Sequence, residues 1–381
     1  MKKIAIIGAG ISGLFIANLL KRSLNYQITV FEKSNSINVE EGYGIQLSVN
    51  SIKLLNEIEF NKFGNNEKFT PDKINFYSNN ISNKICELNI KDFNSENSKY
   101  TTLRRSTLIN FLKKDLGNFI KTGHSILKID QQDHQINLTF ENNENYKCDY
   151  LIISDGVFSK SKSLILNNQK VPMYNDTLAI RGLLSKFNDE IDDKNISIFL
   201  NSDFHHVIYP INSNGDLNFI AIMKYKLSTS DQKNYFLFND KSFIKKILDK
   251  IPFENKRLLD SLKELKIFPV FVSNDFCKPQ NDNIHLIGDA FFAFPPSFAQ
   301  GASQSIESAY ELFKSIEDNM ANDFFKNRVK KAKMVNFRSK FNLFNFHLSN
   351  PLNVFFRNIF MKILLKNKRF LEAYLGKIYK N

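Results

Sequence analysis

The first residues of the chain contain the pattern that most restricts its fold. An apolar run over Lys3–Ile7 predicts a buried strand, and the segment GAGISG, residues 8–13, follows it directly and opens a predicted helix. In such a G-x-G-x-x-G pattern the first glycine allows a tight turn, the second lets the backbone approach a pyrophosphate, and the third lets the helix pack closely on the strand. A second predicted strand, Gln27–Phe31, ends at Glu32, where an acid would accept a hydrogen bond from a ribose 2′-hydroxyl. The pattern therefore predicts an α/β domain that binds a dinucleotide.

A second region, residues 283–312, also runs from a predicted strand into a predicted helix. Its apolar run ends at Gly288-Asp289, a Pro295-Pro296 turn follows, and a helix rich in small residues is predicted to begin near Gln300. This order places a carboxylate at the end of a strand and free backbone N–H groups at a helix N-terminus, which suits a polar cofactor lying between them. Another predicted strand ends in Ser154-Asp155-Gly156, so acid and glycine meet at two strand ends.

Composition limits the classes of protein to which the chain can belong. It has 381 residues, of which 43% are hydrophobic, enough for two domains or one large one with a buried core. The three cysteines are far apart and odd in number, which predicts neither a disulfide framework nor a metal site. The apolar run after Met1 turns at once into the glycine-rich segment, so we expect no signal peptide and a cytoplasmic setting.

The net charge of +13 lies at one end of the chain. Residues 326–381 contain 14 lysines and arginines and one acidic residue, Glu372, so this segment accounts for all of the excess. Such a segment fits a solvated helical face, contact with a membrane surface, or nucleic acid. We expect the first, keep peripheral membrane contact open, and expect no nucleic-acid partner. Leu352–Leu365 is apolar, but it is interrupted by basic residues and is too short to span a bilayer.

Five segments together resemble the FAD-dependent aromatic hydroxylases, which include p-hydroxybenzoate, salicylate, 3-hydroxybenzoate and ubiquinone-pathway hydroxylases. The resemblance covers most of the chain, from Lys3 to about Phe313, and rests on GAGISG at 8–13, YGIQLSVN at 43–50, LRRSTL at 103–108, SDGVFSK at 154–160 and GDAFFAFPPSFAQGASQSIESA at 288–309. One departure is Phe291-Phe292, which stands where the family has a small residue and a histidine.

The resemblance implies FAD as the cofactor and assigns residues to each part of it. The glycine-rich segment and Glu32 would hold the AMP half, Arg105 would lie by the phosphates, and Asp289 would bind the ribityl chain or pyrophosphate. Pro296 would lie beside the isoalloxazine, and the helix N-terminus that starts at Gln300 would face its pyrimidine edge, where reduced flavin carries negative charge. The cofactor-binding set is Gly8, Gly10, Ser12, Gly13, Glu32, Lys33, Arg105, Asp155, Gly288, Asp289, Pro296, Gln300, Gly301 and Ala302.

Catalytic residues are predicted in the segment FHHVIYP, residues 204–210, which is similar to an H-x-x-x-Y-P segment of the salicylate-like members. In a strand, residues 205, 207 and 209 share one face, so His205 and Tyr209 would look into one cavity and relay a proton from a bound phenol. The alternative is that His205 and His206 are ordinary strand histidines facing opposite sides. Gln300 completes the predicted catalytic set.

The expected fold is α/β with an α+β second lobe: a Rossmann-like FAD-binding domain, an inserted mixed β-sheet substrate domain, and C-terminal helices. Residues 1–70, 100–170 and 277–325 would form the FAD-binding domain, 71–99 and 171–276 the substrate lobe, and 326–381 a basic helical segment.

The resemblance implies a single-component monooxygenase, monomeric or homodimeric. NAD(P)H would dock transiently and reduce FAD, and O₂ would then form a flavin C4a-hydroperoxide that hydroxylates a phenolic ring. The alternative is a related FAD-dependent oxidoreductase, such as a reductase or dehydrogenase, that does not hydroxylate a ring.

Overall fold

The computed structural model describes residues 1–37, 42–79, 82–132, 135–166, 172–184, 192–251 and 256–379. Its strands are β1 Lys2–Ile7, β2 Tyr26–Phe31, β3 Gly44–Leu47, β4 Lys68–Phe69, β5 Lys73–Ser78, β6 Lys84–Asn89, β7 Thr101–Arg104, β8 Ile120–Lys121, β9 Ile126–Gln132, β10 Gln135–Phe140, β11 Asn145–Cys148, β12 Tyr150–Ile153, β13 Met173–Leu184, β14 Ile196–Asn201, β15 Phe204–Pro210, β16 Leu217–Lys224, β17 Lys263–Val272 and β18 Ile284–Leu286. Its helices are α1 Ile11–Leu20, α2 Val49–Leu55, α3 Arg105–Lys113, α4 Lys160–Ile165, α5 Lys241–Leu248, α6 Lys256–Asp260, α7 Gly288–Phe291, α8 Gly301–Glu317, α9 Ala321–Phe346, α10 Pro351–Leu364, α11 Lys368–Leu371 and α12 Lys377–Tyr379.

A parallel sheet that contains β1 and β2 carries the glycine-rich turn. Its described strands lie in the order β18-β12-β1-β2-β8, and each neighbouring pair is parallel. Parallel strands of this kind are buried on both faces and read as continuous apolar runs, which explains the composition of β1 and β12. Helix α1 is almost wholly buried, and it packs with α3 and α8 into one apolar core. The predicted α/β fold class is confirmed.

A mixed sheet forms a second layer of the molecule. Its described strands lie in the order β17-β13-β16-β15-β14-β5-β6, in which only β14 and β5 run parallel. Strand β15 lies in the middle of this sheet, between β16 and β14. Its side chains alternate between the two faces of the sheet, and on each face they lie beside side chains of β14 and β16. The predicted boundary between residues 170 and 171 lies outside the described residues.

Helix α9 is anchored to α8 through a buried arginine. Arg328 is 2% exposed, and its guanidinium donates to the Gln304 carbonyl oxygen at 3.0 Å and to Gln304 Oε1 at 2.7 Å. It also lies 3.4 Å from Glu311 and 3.8 Å from Glu307, whose second oxygen is paired with Lys331 at 2.8 Å. These contacts hold the first part of α9 against α8, the helix that begins at Gly301. Among the described helices, none is long and apolar enough to cross a bilayer.

Local differences from the sequence expectation occur at helix ends. The helix predicted over Val49–Ile58 keeps α geometry only to Leu55 and continues as a 3₁₀ turn over Asn56–Ile58, which ends where Glu59 adopts a left-handed conformation with φ of 69°. Helix α8 begins at Gly301 with Gln300 as its N-cap residue, close to the predicted start. Helix α9 runs through residue 326 without a break, so the basic segment begins inside a helix.

Candidate functional site

The glycine-rich turn is built by close contacts at two of its glycines and by open space at the third. Gly8 has φ of +102°, and a Cβ placed there would lie 2.6 Å from the Ser154 carbonyl oxygen. A Cβ on Gly13 would lie 2.1 Å from the Gly8 carbonyl oxygen and 2.5 Å from Ser154 Oγ. A Cβ on Gly10 would meet nothing within 4 Å. Gly8 and Gly13 therefore let strand, turn and helix approach one another, whereas Gly10 borders a space that a ligand can enter.

Glu32 lies at the same turn, at the end of β2. Its Oε2 accepts a hydrogen bond from the Ala9 N–H at 2.9 Å, and its Oε1 accepts one from the Ser34 N–H at 3.1 Å. Lys33, next to it, is exposed. The carboxylate is therefore held beside the turn, and it retains acceptor capacity because each of its oxygens carries two lone pairs.

The Gly288-Asp289 pair, which follows β18, lies against the start of the glycine-rich helix α1. Gly288 has φ of +60°, and a Cβ there would lie 2.5 Å from Ser12 Oγ, so Ser12 is packed directly against this strand end. The Gly288 N–H donates to Ser308 Oγ at 2.9 Å, which ties the strand end to α8. The two cofactor segments predicted from distant parts of the sequence thus touch each other.

Asp289 faces the cleft that these segments border. Its side chain is open to the cleft, yet protein surrounds the cleft closely, and this enclosure raises the pKa of the carboxyl to about 6. The guanidinium of Arg105, at the start of α3, acts in the opposite direction and lowers the pKa. The fold therefore brings Arg105 and Asp289 close enough to interact, although they lie far apart in the chain.

The loop before α8 lines a cavity with Pro296, Gly301 and Ala302. A Cβ on Gly301 would meet nothing within 4 Å, so the first turn of this 17-residue helix presents open backbone to the cavity. Gln300 differs from its neighbours because its side chain is only 2% exposed and is turned into the protein, where Nε2 donates to Ser48 Oγ at 3.4 Å. Its side chain is not among the cavity-lining groups in the described residues.

A buried serine network, which the sequence reasoning did not identify, holds the YGIQLSVN segment against the N-terminus of α8. The Ser48 N–H donates to Ser303 Oγ at 3.0 Å, and Ser51 Oγ lies 3.0 Å from the same oxygen. Ser48 Oγ also donates to Asn50 Oδ1 at 2.6 Å. The spacing of these small polar residues does not predict the contact, because more than 250 residues separate Ser48 from Ser303.

Asp155 uses its carboxylate within its own loop. It accepts hydrogen bonds from the Ser159 hydroxyl and, at 3.1 Å, from the Ser161 N–H at the start of α4. Burial raises the pKa of this carboxyl, and these hydrogen bonds oppose the rise. The adjacent Gly156 has φ of +85° and open space where a Cβ would be, and Val157 reaches the cavity wall.

A cavity of about 560 Å³ lies between the cofactor segments and the mixed sheet. Asp289, Pro296, Gly301 and Ala302 border it on one side, and most of the remaining wall is apolar. Arg181, His205 and Tyr209 supply polar groups from the mixed sheet, and Gln46 of β3 and Tyr100 supply further ones. An apolar chamber with a few convergent polar groups is the form expected for a small-molecule site.

His205 and Tyr209 both line the cavity with Val207, as strand alternation predicted. His206 faces the opposite side, where its ring stacks on Phe199 at 4.4 Å between centroids. His205 has a partner that the sequence did not reveal: its Nδ1 lies 2.8 Å from Nε2 of His347, which follows α9. Burial lowers the pKa of His205 well below its ordinary value and that of His347 to about 4, so both rings are neutral at physiological pH.

Tyr209 lies in a polar corner of the cavity. Burial raises the pKa of its phenol above the ordinary value, while Arg181 and hydrogen bonds with Gln46 and Asn218 act against the rise. The phenol therefore stays protonated at physiological pH and can donate a hydrogen bond. Arg181, which also lies over the Tyr43 ring at 5.8 Å, is a site residue for which the sequence carried no motif.

Phe291 and Phe292, which follow Asp289, are packed among other phenylalanines. Both are buried and pack on Phe276; Phe291 also contacts Phe324 and Phe325 of α9, and Phe292 contacts Phe294, which lines the cavity. The departure from the family pattern therefore adds to the core beneath α7, and neither ring is among the described residues that line the chamber.

These residues fit FAD. Gly10 and Gly301 leave open space where a Cβ would obstruct a close ligand, Glu32 and Asp289 stand at strand ends, and α8 directs its N-terminus into the cavity that Asp289 lines. Free N–H groups at a helix start favour negative charge, as the phosphates and the reduced ring of FAD provide.

Comparison with known proteins places the chain in a family. Salicylate hydroxylase of Pseudomonas putida is 23% identical over 355 residues, which cover 84% of this chain and 78% of that protein. The 6-hydroxynicotinate 3-monooxygenase of Bordetella bronchiseptica is 21% identical over 384 residues, covering 96% and 98%. The structure of Klebsiella pneumoniae HpxO complexed with FAD and uric acid matches with a TM-score of 0.83 at 16% identity, covering 99% of this chain and 96% of that one.

The sequence pattern of the FAD binding domain matches residues 1–321, which is most of the chain. The match confirms the resemblance inferred from the five sequence segments and confirms FAD as the cofactor. The chain belongs to the FAD binding domain family.

Proposed function

We propose that the chain is a single-component FAD-dependent monooxygenase that hydroxylates an aromatic ring, with NAD(P)H as reductant and O₂ as oxidant. The observation that carries the proposal is the cavity, which has the expected flavin-side residues on one wall and His205 and Tyr209 on another. A ring bound there would lie between the cofactor and groups able to exchange a proton. The relatives support this class, since one is a salicylate hydroxylase and another a 6-hydroxynicotinate 3-monooxygenase.

Bound FAD would supply the oxygen-transfer chemistry, with one atom of O₂ entering the ring and the other leaving as water at the expense of NAD(P)H. The protein would contribute binding and electrostatics. Gly8, Gly10 and Glu32 would hold the AMP half, and Arg105 with Asp289 would flank the middle of the dinucleotide. The N–H groups of Gly301 and Ala302, reinforced by the α8 dipole, would stabilise negative charge on the pyrimidine edge.

The proton relay runs through groups on the sheet side of the cavity. Tyr209, which stays protonated, would donate to the substrate oxygen and orient the ring. His205 is neutral and its Nδ1 lies 2.8 Å from Nε2 of His347, so a proton taken from a phenol can pass from one histidine to the other. The apolar walls would exclude water, which protects the reactive cofactor from unproductive discharge.

The proposed division of labour follows the two sheets. Residues 1–70, 100–170 and 277–325 would bind FAD, residues 71–99 and 171–276 would bind the ring, and residues 326–381 would form a basic, solvated helical segment. A cytoplasmic setting and a monomeric or homodimeric state stay predictions.

The test is oxygen incorporation. The FAD-loaded protein is mixed with NADH or NADPH, ¹⁸O₂ and a panel of phenols, and the product is analysed by mass spectrometry while reductant oxidation is followed. We expect one labelled oxygen in the ring of at least one compound. Bound FAD with reductant oxidation that yields only hydrogen peroxide across the panel would favour the reductase or oxidase alternative, and absence of FAD binding would refute the proposal as a whole.

A variant pair tests the relay. His205→Gln should lower the hydroxylation rate by a factor of about 10²–10⁴, the usual contribution of a positioned acid or base, without loss of flavin. His206→Phe is the matched control, because its ring lies on the other face of β15 and stacks on phenylalanine. Equal rates in the two variants would remove His205 from the mechanism.

A further inference from the structure

The two helices at the C-terminal end carry an apolar face that no other described part of the chain covers. On α9 it consists of Phe337, Phe341 and Phe344. On α10 it consists of Leu352, Phe355, Phe356, Ile359, Phe360 and Ile363. Each of these side chains is at least 37% exposed, and together they form a concentration of exposed apolar groups that a soluble monomer rarely shows. We call this surface the α9–α10 face.

Helical periodicity explains why these residues form one surface. The three phenylalanines of α9 are spaced by four and three residues, and the six residues of α10 follow spacings of three, one, three, one and three. On the opposite side of α10, Arg357 is buried and its Nη1 donates to the Asn345 carbonyl oxygen at 3.3 Å, while Met361 packs on the core of the mixed sheet. Each helix is therefore amphipathic, with its apolar stripe turned outward.

The face is held in place by the rest of the chain. After α10 the backbone returns along α9, where Tyr374 Oη donates to Asn342 Oδ1 at 2.6 Å and Arg338 Nη2 donates to the Ala373 carbonyl oxygen at 2.9 Å. The Arg338 guanidinium also lies over the Tyr374 ring. The outward direction of the phenylalanines is thus a fixed property of the fold.

The charge around the face is of one sign. No aspartate or glutamate occurs between Asp323 and Glu372, and Lys333, Lys340, Lys362 and Lys366 are exposed on or just after the same two helices. An outward apolar stripe bordered by lysines is complementary to an anionic lipid surface, where the rings enter the interface and the lysines meet the headgroups. Two copies joined through this face would instead bring lysines of the same charge together.

The cavity opens at this face. Phe341 and Phe360, which are 48% and 57% exposed, belong to the α9–α10 face and also line the cavity. Behind them the wall continues through Phe346, Met361 and Leu365 toward Ala302 at the cofactor end. A molecule leaving a bilayer at this point would meet a largely apolar wall, to which Asn342, Asn345 and Arg357 add polar groups.

We propose that the α9–α10 face docks on the surface of an anionic phospholipid bilayer and that the substrate enters the cavity from the lipid, as a phenol or related ring with an apolar substituent. The docking part stands on the surface alone. The substrate part rests on the proposed monooxygenase function. No described helix spans a bilayer, so the contact is interfacial.

Flotation with vesicles tests the docking. The FAD-loaded protein is floated with vesicles of phosphatidylcholine alone or of phosphatidylcholine with about one third phosphatidylglycerol. The negative charge of phosphatidylglycerol should stabilise binding by about 1 kcal/mol for each basic residue near the surface. We expect binding to the anionic vesicles that falls at least tenfold in Phe355→Ser/Phe356→Ser and in Lys362→Glu/Lys366→Glu. The matched control is Phe236→Ser, because Phe236 is also highly exposed but lies outside the face.

The substituted side chains lie outside the cavity wall, so flavin absorbance of each variant should match the wild type and report that it is folded. Failure of the wild-type protein to float would overturn the docking, as would equal flotation of all variants. A dimer in sedimentation analysis that dissociates in Phe355→Ser/Phe356→Ser, without vesicle binding, would assign the face to a second copy instead.

Spectral titration tests the substrate part. The bound-flavin spectrum is followed while 4-nonylphenol in anionic vesicles or 4-hydroxybenzoate in solution is added. We expect the alkylphenol to perturb the flavin at a concentration at least tenfold lower. A preference for the polar ring would overturn the lipid route while leaving the proposed hydroxylation intact, whereas protein without bound flavin would refute the proposed function instead.

Discussion

Replacing Gly10 with alanine is expected to weaken FAD binding without destabilising the protein that lacks FAD. A Cβ at this position meets no atom within 4 Å, and the backbone has φ of −84° and ψ of −172°, which alanine can adopt. The added methyl group occupies only the space in which a pyrophosphate would approach the backbone. Gly13→Ala is the contrasting variant, since its Cβ would lie 2.1 Å from the Gly8 carbonyl oxygen and would force the turn apart.

The magnitudes follow from these contacts. For Gly10→Ala without FAD we expect a change in the free energy of unfolding within about 1 kcal/mol, the usual difference between glycine and alanine at a helix N-cap. For Gly13→Ala we expect a loss of about 1–3 kcal/mol or more, as for overpacking of a tight interior. FAD at 100 times its wild-type Kd stabilises the fold by about 2.7 kcal/mol, and a tenfold weaker Kd reduces this to about 1.4 kcal/mol. The FAD-induced rise in Tm of Gly10→Ala should therefore be about half that of the wild type.

Thermal unfolding of the wild type and both variants, with and without FAD, measures these quantities, and a flavin fluorescence titration gives Kd independently. An unchanged Kd in Gly10→Ala would refute the assignment of the open space to the cofactor. Equal destabilisation of the two FAD-free variants would refute the assignment of Gly13 to packing and of Gly10 to the ligand.

Two further predictions concern buried ionisable groups. Burial lowers the pKa of His206 to about 3, so the unfolded chain takes up a proton below its ordinary pKa of 6.5 that the folded chain refuses, and stability is lost as the pH falls between these values. At about pH 5 this loss is about 2 kcal/mol, and His206→Phe should not show it. The measurement is the fall in the urea unfolding midpoint between neutral pH and pH 5, and an equal fall in the wild type and in the variant would contradict the lowered pKa. Asp289→Ala should weaken FAD retention by about 10- to 100-fold, the value of a hydrogen bond to a charged group, measured as the flavin-to-protein ratio after gel filtration; an unchanged ratio would remove Asp289 from the cofactor site.

The glycine-rich turn could be predicted from local sequence alone. Strand, turn, helix and the second strand were predicted close to their observed bounds because each is specified by neighbours in the chain: an apolar run, glycines at tight contacts, and an acid directly after a strand. The same holds for the start of α8, which follows a proline turn. Such signals depend on backbone conformations that a few adjacent residues decide.

The lining of the cavity needed the tertiary structure. Strand alternation predicted that His205 and Tyr209 share a face, but not that His347 would complete a pair with His205 from 142 residues away. The side chain of Gln300, expected at the flavin, is instead turned toward Ser48. Phe291 and its neighbour, two and three residues after Asp289, pack on phenylalanines from other parts of the chain. A short stretch does not determine the direction of such side chains, because the packing partners come from elsewhere in the chain.

The sequence by itself therefore determined the family, the dinucleotide turn, the strand-end carboxylates and the location of the excess positive charge. The tertiary structure decided which side chains face the cavity and where it opens. The exposed stripes of α9 and α10 illustrate the difference: their periodicity is visible in the sequence, but an apolar helical stripe is usually buried. Only the packing of Arg357 and Met361 on the inner side shows that the phenylalanine stripe is turned outward, at the mouth of the cavity.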